Sequence, residues 1–297
     1  DEAHQRGIKV TIDLVLNHTS ASHPWFVEAR NDPESPYRDW YVFSDTNPGY
    51  TGGWGQEIWY LAGDSFYLAQ FWDQMPDLNF ANPEVVEEMN KVAEFWLELG
   101  VDGFRLDAAR YLAEEGSKTA DTPSNHAYWE QFRLFYKQVN PQAVTIGEVW
   151  TGNFTVSKYL EGDELDLAFN FELADQVIAQ VERGKADTLG LVLDASVKYM
   201  PQQQFATFLT NHDQNRLMNQ VGMNIEKAKT AASLLLMMPG VPFIYYGEEI
   251  GMTGAKPDEN LRTPMQWTAG EYAGFSTAFP WQAVNRDYRD GVNVETQ

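Results

Sequence analysis

Short apolar runs alternate along this chain with longer segments of helical period. Residues 8–16 are rich in Ile, Val and Leu around a single acid, Asp13. A run of that kind predicts a strand covered on both faces, and hence a parallel one. Residues 1–7 before it read as the last turns of a helix stopped at Gly7, so the chain reads as an excerpt that begins inside an element. Asn82-Pro83 predicts a helix start, with Asn as cap and Pro in the first turn. Val85, Met89, Val92, Trp96 and Leu99 form its apolar stripe, and Gly100 ends it. Strands are predicted over 101–106, 144–148, 165–171, 205–210 and 241–246. Helices are predicted over about 126–139, 173–183 and 225–238. This alternation of strand and helix predicts an α/β fold with a parallel sheet.

Residues 21–82 break the pattern. They hold Trp25, Trp40, Tyr41, Trp54, Trp59, Tyr60 and Trp72 among glycines 49, 52, 53 and 55. So long a stretch without periodicity is unusual for a connection. It predicts an inserted subdomain whose aromatics form either its own core or a surface for stacking on sugars.

Charged and polar residues collect at the predicted strand ends: Asp13, Asn17 and His18; Arg105 and Asp107; Glu148; His212 and Asp213. An open doubly wound sheet would concentrate function at one switch point, usually beside a glycine-rich phosphate loop, and no such loop is found. Function spread over four strand ends favours a (β/α)8 TIM barrel, whose active site lies at the C-terminal mouth. Six strands make this barrel incomplete, spanning strands 3 to 8. The implied organisation is barrel over 1–20, insertion over 21–82 and barrel again over 83–297.

In Gly103-Phe-Arg-Leu-Asp107 the arginine and the aspartate fall on one strand face. Alone, the pair is equally well explained as a structural ion pair. Beside Arg105, Asp107 is expected to stay ionised, which suits a nucleophile. Glu148 has no cation adjacent in sequence, so an apolar setting would let it act as an acid. Alone it would read as a solvated surface glutamate. Adjacent strands lie about 4.8 Å apart, which lets carboxylates at their ends face each other at about 5–5.5 Å, the spacing of a retaining glycosidase pair.

Composition narrows the ligand. The chain has 297 residues, 43% of them hydrophobic, and a formal charge of −22. Such acidity argues against nucleic acid and anionic membrane as partners and is compatible with a secreted or salt-adapted protein. There is no cysteine, so neither disulfides nor a zinc cluster enter. No stretch is long and apolar enough to span a bilayer.

Four segments resemble the signature regions of the α-amylase family, family 13 of the glycoside hydrolases. They are Asp13-Leu-Val-Leu-Asn-His18, Gly103-Phe-Arg-Leu-Asp107, Gly147-Glu148-Val and Phe208-Leu-Thr-Asn-His-Asp213. The resemblance implies Asp107 as nucleophile, Glu148 as general acid/base and Asp213 as a third carboxylate holding sugar hydroxyls. It implies His18, Arg105 and His212 as further contacts to the same sugar ring, and a structural Asp13. The insertion is similar to the family's domain B after strand 3. Met75-Pro-Asp-Leu-Asn79 resembles a fifth family region, in a form intermediate between the oligo-1,6-glucosidase and neopullulanase types. Thr263-Pro-Met-Gln-Trp267 is similar to a segment shared by α-glucosidases and that intermediate group. Ala108, after the nucleophile, resembles enzymes acting on α-1,4 bonds.

The resemblance also implies a calcium ion held by Asn17, Asp77 and the Tyr111 carbonyl, hard oxygen donors that suit Ca²⁺. The expected function is retaining cleavage of α-1,4 bonds in α-glucans or maltooligosaccharides. The rivals are an exo-acting α-glucosidase or oligo-1,6-glucosidase, a sucrose or maltose transglycosylase, and a non-catalytic homologue.

Overall fold

The computed structural model describes residues 1–200 and 204–297. In chain order the elements are α1 (Glu2–Gln5), β1 (Thr11–Leu14), α2 (Pro24–Asn31), β2 (Phe43–Ser44), β3 (Trp59–Ala62), β4 (Ser65–Leu68), α3 (Pro83–Glu98), β5 (Gly103–Leu106), α4 (Pro123–Val139), β6 (Val144–Gly147), α5 (Asn153–Glu161), β7 (Leu167–Phe169), α6 (Phe171–Arg183), α7 (Leu189–Tyr199), β8 (Phe205–Thr207), α8 (Leu217–Gln220), α9 (Ile225–Met237) and β9 (Val241–Pro242). The chain forms two compact units, Asp1–Val149 with Lys158–Ala168, and Trp150–Ser157 with Phe169–Gln297.

In the first unit β1, β5, β6 and β7 pair in that order, all parallel. The predicted parallel pairing holds, but β1 is not covered on both faces: Leu14 is buried while Thr11 and Asp13 are exposed. As the first strand in the order, β1 has a single neighbour there. Gly103 opens β5 because the chains approach closely: a Cβ there would stand 2.0 Å from the Val144 carbonyl oxygen of β6.

Helix α3 begins as predicted, with the Asn82 side chain accepting from the Glu84 N–H. Its buried stripe, however, is Val85, Met89, Ala93 and Leu97. Every fourth residue faces the core, so the small Ala93 takes the place expected for Val92. Trp96 and Leu99 are left 38% and 64% exposed. Helix α4 starts three residues before its predicted start. Thr122 is its cap, accepting from the Asn125 N–H while donating to the Ala113 carbonyl.

The 21–82 stretch carries its own antiparallel sheet, β2-β4-β3. Its aromatics divide. Phe26, Tyr41 and Trp59 are buried, and Phe26 meets the rings of Tyr41 and Tyr67 edge-on. Trp54 and Trp72 are 64% and 58% exposed.

In the second unit β8 and β9 pair in parallel. Both are shorter than predicted, though the Phe243 N–H still donates to the Thr207 carbonyl. Helix α6 is capped at its start by Asn170 and ends at Gly184 in the left-handed region, where glycine carries no side-chain penalty. Among the described residues no helix is long and apolar enough to cross a membrane.

Candidate active site

Parallel register carries the candidate carboxylates to neighbouring strand ends. Leu106 of β5 pairs with Leu14 of β1 and with Gly147 of β6. One residue further on, the Asp107 N–H donates to the Leu14 carbonyl and the Glu148 N–H to the Leu106 carbonyl. Between these ends lies the Arg105 guanidinium. Its Nη1 donates to Asp13 at 2.9 and 3.1 Å and to Asp107 Oδ1 at 2.5 Å. Its Nη2 donates to Glu148 Oε2.

This overturns one expectation. Arg105 was expected to distinguish an ionised Asp107 from a Glu148 without a cation. Instead, one guanidinium serves both carboxylates, and Asp13 as well. The reason is register: β6 lies on the other side of β5 from β1, so residues on one face of three strands meet at the middle one. Burial alone would lower the Arg105 pKa, but Glu148, Asp107 and Asp13 outweigh it and hold it well above the ordinary value. The side chains of Glu148 and Asp107 are 13% and 22% exposed, against 49% for Asp13. Asp13 is therefore the outer member of the cluster. Enclosure, not the cation, is what sets Glu148 apart.

His18 stands close enough to Asp107 to feel its charge. Burial lowers the His18 pKa, and the Asp107 charge opposes that shift without cancelling it. Its ring meets Phe71 edge-on at 5.7 Å, and Phe71 meets Tyr111 at 5.4 Å.

The loop after Asp107 is fixed by groups that sequence reading did not single out. Ala108 takes a positive φ of 50°. Asn125, fully buried on α4, accepts from the Leu112 N–H at 3.1 Å and donates to the Ala109 carbonyl at 3.0 Å and to the Tyr159 hydroxyl at 3.1 Å. Tyr159 in turn donates to Asp121, which accepts from Arg110. Asn125→Ala would strand the Leu112 N–H and leave the Ala109 carbonyl held by the Trp129 indole N–H alone. We expect a loss of about 3 kcal/mol in stability, together with lower activity from the loosened loop, checked by urea unfolding and kinetics. Wild-type stability in this variant would contradict the account.

The second unit holds His212 and Asp213 after β8. Asp213 Oδ1 accepts from Arg262 Nη2 at 2.8 Å, and Arg262 Nε donates to the His212 carbonyl at 3.1 Å. His212 Nε2 lies 3.2 Å from Asp213 Oδ2. Arg262 was missed, although it directly precedes the Thr263–Trp267 segment that was noted.

Thr210, three residues before Asp213, donates its hydroxyl to Glu248 Oε1, and the Tyr245 N–H donates to Oε2. Burial pushes the Glu248 carboxyl up to about 7, against hydrogen bonds from Thr210 and Tyr245 and the charge of Arg216. The folded protein therefore binds a proton that the unfolded chain releases near pH 4.5. Stability from this group is present below that value and is lost as pH rises towards about 7. Glu248→Gln should flatten the fall by up to about 3 kcal/mol, read from denaturant unfolding across that pH range. An unchanged slope would contradict it.

The residues expected to hold calcium are partly gathered. Asn17 and Asp77 are both 1% exposed, and Asn17 Nδ2 donates to Asp77 Oδ1 at 3.1 Å. The Gln70 N–H donates to both Asp77 oxygens at 3.2 Å. Burial and then the charge of Glu114 push Asp77 well above the usual carboxylate range. Asn17 Oδ1 and both side-chain polar atoms of Gln70 are buried without a protein partner. Buried oxygens that find no donor, next to a carboxylate, fit a hard cation. Tyr111 packs its ring against Trp54 and Phe71. Among the described residues no three His, Cys, Asp or Glu side chains form a metal cluster, so the donor set is amide and carboxylate oxygen.

Comparison with known proteins identifies the family. The family description "Alpha amylase, catalytic domain" matches residues 1–297. Alpha-amylase 3 of Dictyoglomus thermophilum is 42% identical over 273 residues, 90% of this chain and 52% of that protein. A trehalose synthase/amylase of Mycobacterium tuberculosis is 35% identical, over 100% of this chain and 58% of that protein. The crystal structure of an alpha-amylase from H. orenii matches with a TM-score of 0.81 at 43% identity, over 94% of this chain and 57% of that one. This chain thus spans a little over half the length of these relatives. The barrel expected from the sequence is the fold of the family's catalytic domain, and the parallel strands here are part of it. The chain belongs to the alpha-amylase family, family 13 of the glycoside hydrolases.

Proposed function

We propose that the protein is a retaining α-glucan hydrolase that cleaves α-1,4-glucosidic bonds through a covalent glycosyl-enzyme. The observation that carries this reading is the shared clamp: Asp107 and Glu148 end adjacent parallel strands, each bound to a different nitrogen of Arg105.

In the first step Glu148 gives its proton to the glycosidic oxygen as the bond from that oxygen to the anomeric carbon breaks. Asp107 closes a bond to the anomeric carbon from the opposite face. In the second step Glu148 takes a proton from water, the water oxygen attacks the anomeric carbon, and Asp107 leaves as carboxylate. A proton on Glu148 Oε1 leaves the Oε2 contact with Arg105 in place. His18, Arg105, His212 and Asp213 supply groups for sugar hydroxyls, as the family resemblance implies, and Arg262 holds Asp213 and the His212 carbonyl in place. A Ca²⁺ held by Asn17, Asp77 and the Tyr111 carbonyl would have a structural role outside these steps. Residues 21–82 serve as domain B.

Similarity to a trehalose synthase/amylase keeps glycosyl transfer as the second reading. A product profile separates the two. The full-length protein is given a linear α-1,4 maltooligosaccharide, with isomaltose in parallel. Early products of several lengths with isomaltose untouched are expected. Glucose released first, cleavage of isomaltose, or rearranged disaccharides without net hydrolysis would overturn the α-1,4 hydrolase reading.

A further inference from the structure

The aromatics of the 21–82 insertion fall into a buried set and an exposed set, and one exposed member is firmly held. Trp54 is 64% exposed. Its ring nevertheless packs on two others, with centroids 6.0 Å from Phe71 and 5.8 Å from Tyr111.

The turn that carries Trp54 is clipped. The Gly52 N–H donates to the Gln56 carbonyl at 2.9 Å, and the Gly55 N–H donates to the Gly52 carbonyl at 2.9 Å. The Gln56 side chain folds back on this turn. Its Oε1 accepts from the Trp54 N–H at 3.0 Å, and its Nε2 donates to the Gln70 carbonyl at 3.0 Å. One amide thus ties the Trp54 backbone to the residue just before Phe71. Glycine at 52 leaves room for it, because a Cβ there would stand 2.2 Å from Gln56 Nε2.

The rings lead towards the reacting centre. Phe71 meets Tyr111 at 5.4 Å and His18 at 5.7 Å. Tyr111 lies in the loop that leaves Asp107, its N–H donating to the Ala108 carbonyl at 2.9 Å. Trp54 is therefore the outer end of a row of rings whose inner end is His18. A pyranose presents a face of C–H groups, and a flat apolar ring covers such a face while the hydroxyls stay at its edge. Because Trp54 is already ordered, covering it costs little further side-chain entropy.

We propose that Trp54, clipped by Gln56, is a stacking platform for a glucosyl unit outside the one that Asp107 attacks, so that the site favours α-glucan chains over single glucosides. The inference rests on the hydrolase reading for its substrate class. Gln56 is a positioning residue: it holds Trp54 and touches no sugar.

The test assays the full-length protein on maltohexaose and on α-glucosyl fluoride, which carries a single sugar. Calorimetry measures maltohexaose binding in the Glu148→Gln background. Trp54→Ala should raise both KM and Kd for maltohexaose about tenfold, with kcat changed less than about twofold and the fluoride unaffected, as for loss of uniform binding. Gln56→Ala and Gly52→Ala disturb the clip in two different ways, and each should raise that KM roughly threefold through lost ordering of Trp54. Trp54→Phe should recover most of the loss. Leu61→Ala, at a position of the same insertion that is 67% exposed, should change neither constant. Wild-type KM and Kd in Trp54→Ala, or an equal loss on the fluoride, would overturn the inference. Maltohexaose bound but not turned over by the wild type, and bound more weakly after Trp54→Ala, would support it while overturning the hydrolase reading.

Discussion

Asp107→Ala and Glu148→Ala are expected to stop the reaction at two different places. Each should lower kcat on a maltooligosaccharide about 10⁴-fold or more, because each removes a group on which a covalent step depends. Far-UV circular dichroism should be unchanged, since neither backbone N–H contact at these positions involves the side chain. Azide and an activated glucosyl fluoride then separate the roles. Without Asp107, azide attacks the α-configured donor directly and gives the β-glucosyl azide. Without Glu148, the fluoride leaves unaided and Asp107 forms the β-linked intermediate, which azide opens to the α-glucosyl azide. Interchanged products would reverse the assignment, and near-normal activity in either variant would end it.

Arg105→Met carries the second large effect. It leaves Asp13, Asp107 and Glu148 grouped without the cation that contacts all three. Breaking an enclosed ion pair from one side costs about 3 kcal/mol or more, or roughly 150-fold if expressed in kcat/KM. Repulsion among the remaining carboxylates favours protonation, so activity should fail at a higher pH on the acid side than in the wild type. Asp13→Asn is the control. Asp13 is half-exposed and outermost, so the loss should stay below about tenfold, as for a solvated pair. A pH–rate profile that does not move in Arg105→Met would contradict the clamp.

The strand ends were legible in the sequence because they are short and chemically marked. Asp107, Glu148 and Asp213 each follow an apolar run that can only be a strand, and the parallel pairing follows from the helices between. What could not be read is what register alone decides. Arg105 lies two residues from Asp107 and 43 from Glu148, and nothing local announces the second contact. Arg262 is hidden for the same reason, 49 residues from Asp213. Helix α7 was missed because Asp194, Ser196 and Lys198 alternate with apolar residues in its second half and Thr188 provides no side-chain cap, so neither a helical period nor a start signal stands out. In α3 the start was right and the stripe was wrong, because Ala93 is too small to be picked out as core from a pattern of large residues.

The central claim is that Asp107 becomes covalently attached to the sugar. The most direct measurement incubates the protein with a fluorinated glucosyl fluoride that forms the intermediate quickly and hydrolyses it slowly, then locates the adduct by peptide mass spectrometry. The account predicts one glycosyl adduct, on the peptide bearing Asp107, and an α-configured sugar as the first product of turnover. An adduct on another carboxylate, or no adduct with a β-configured first product, would contradict it.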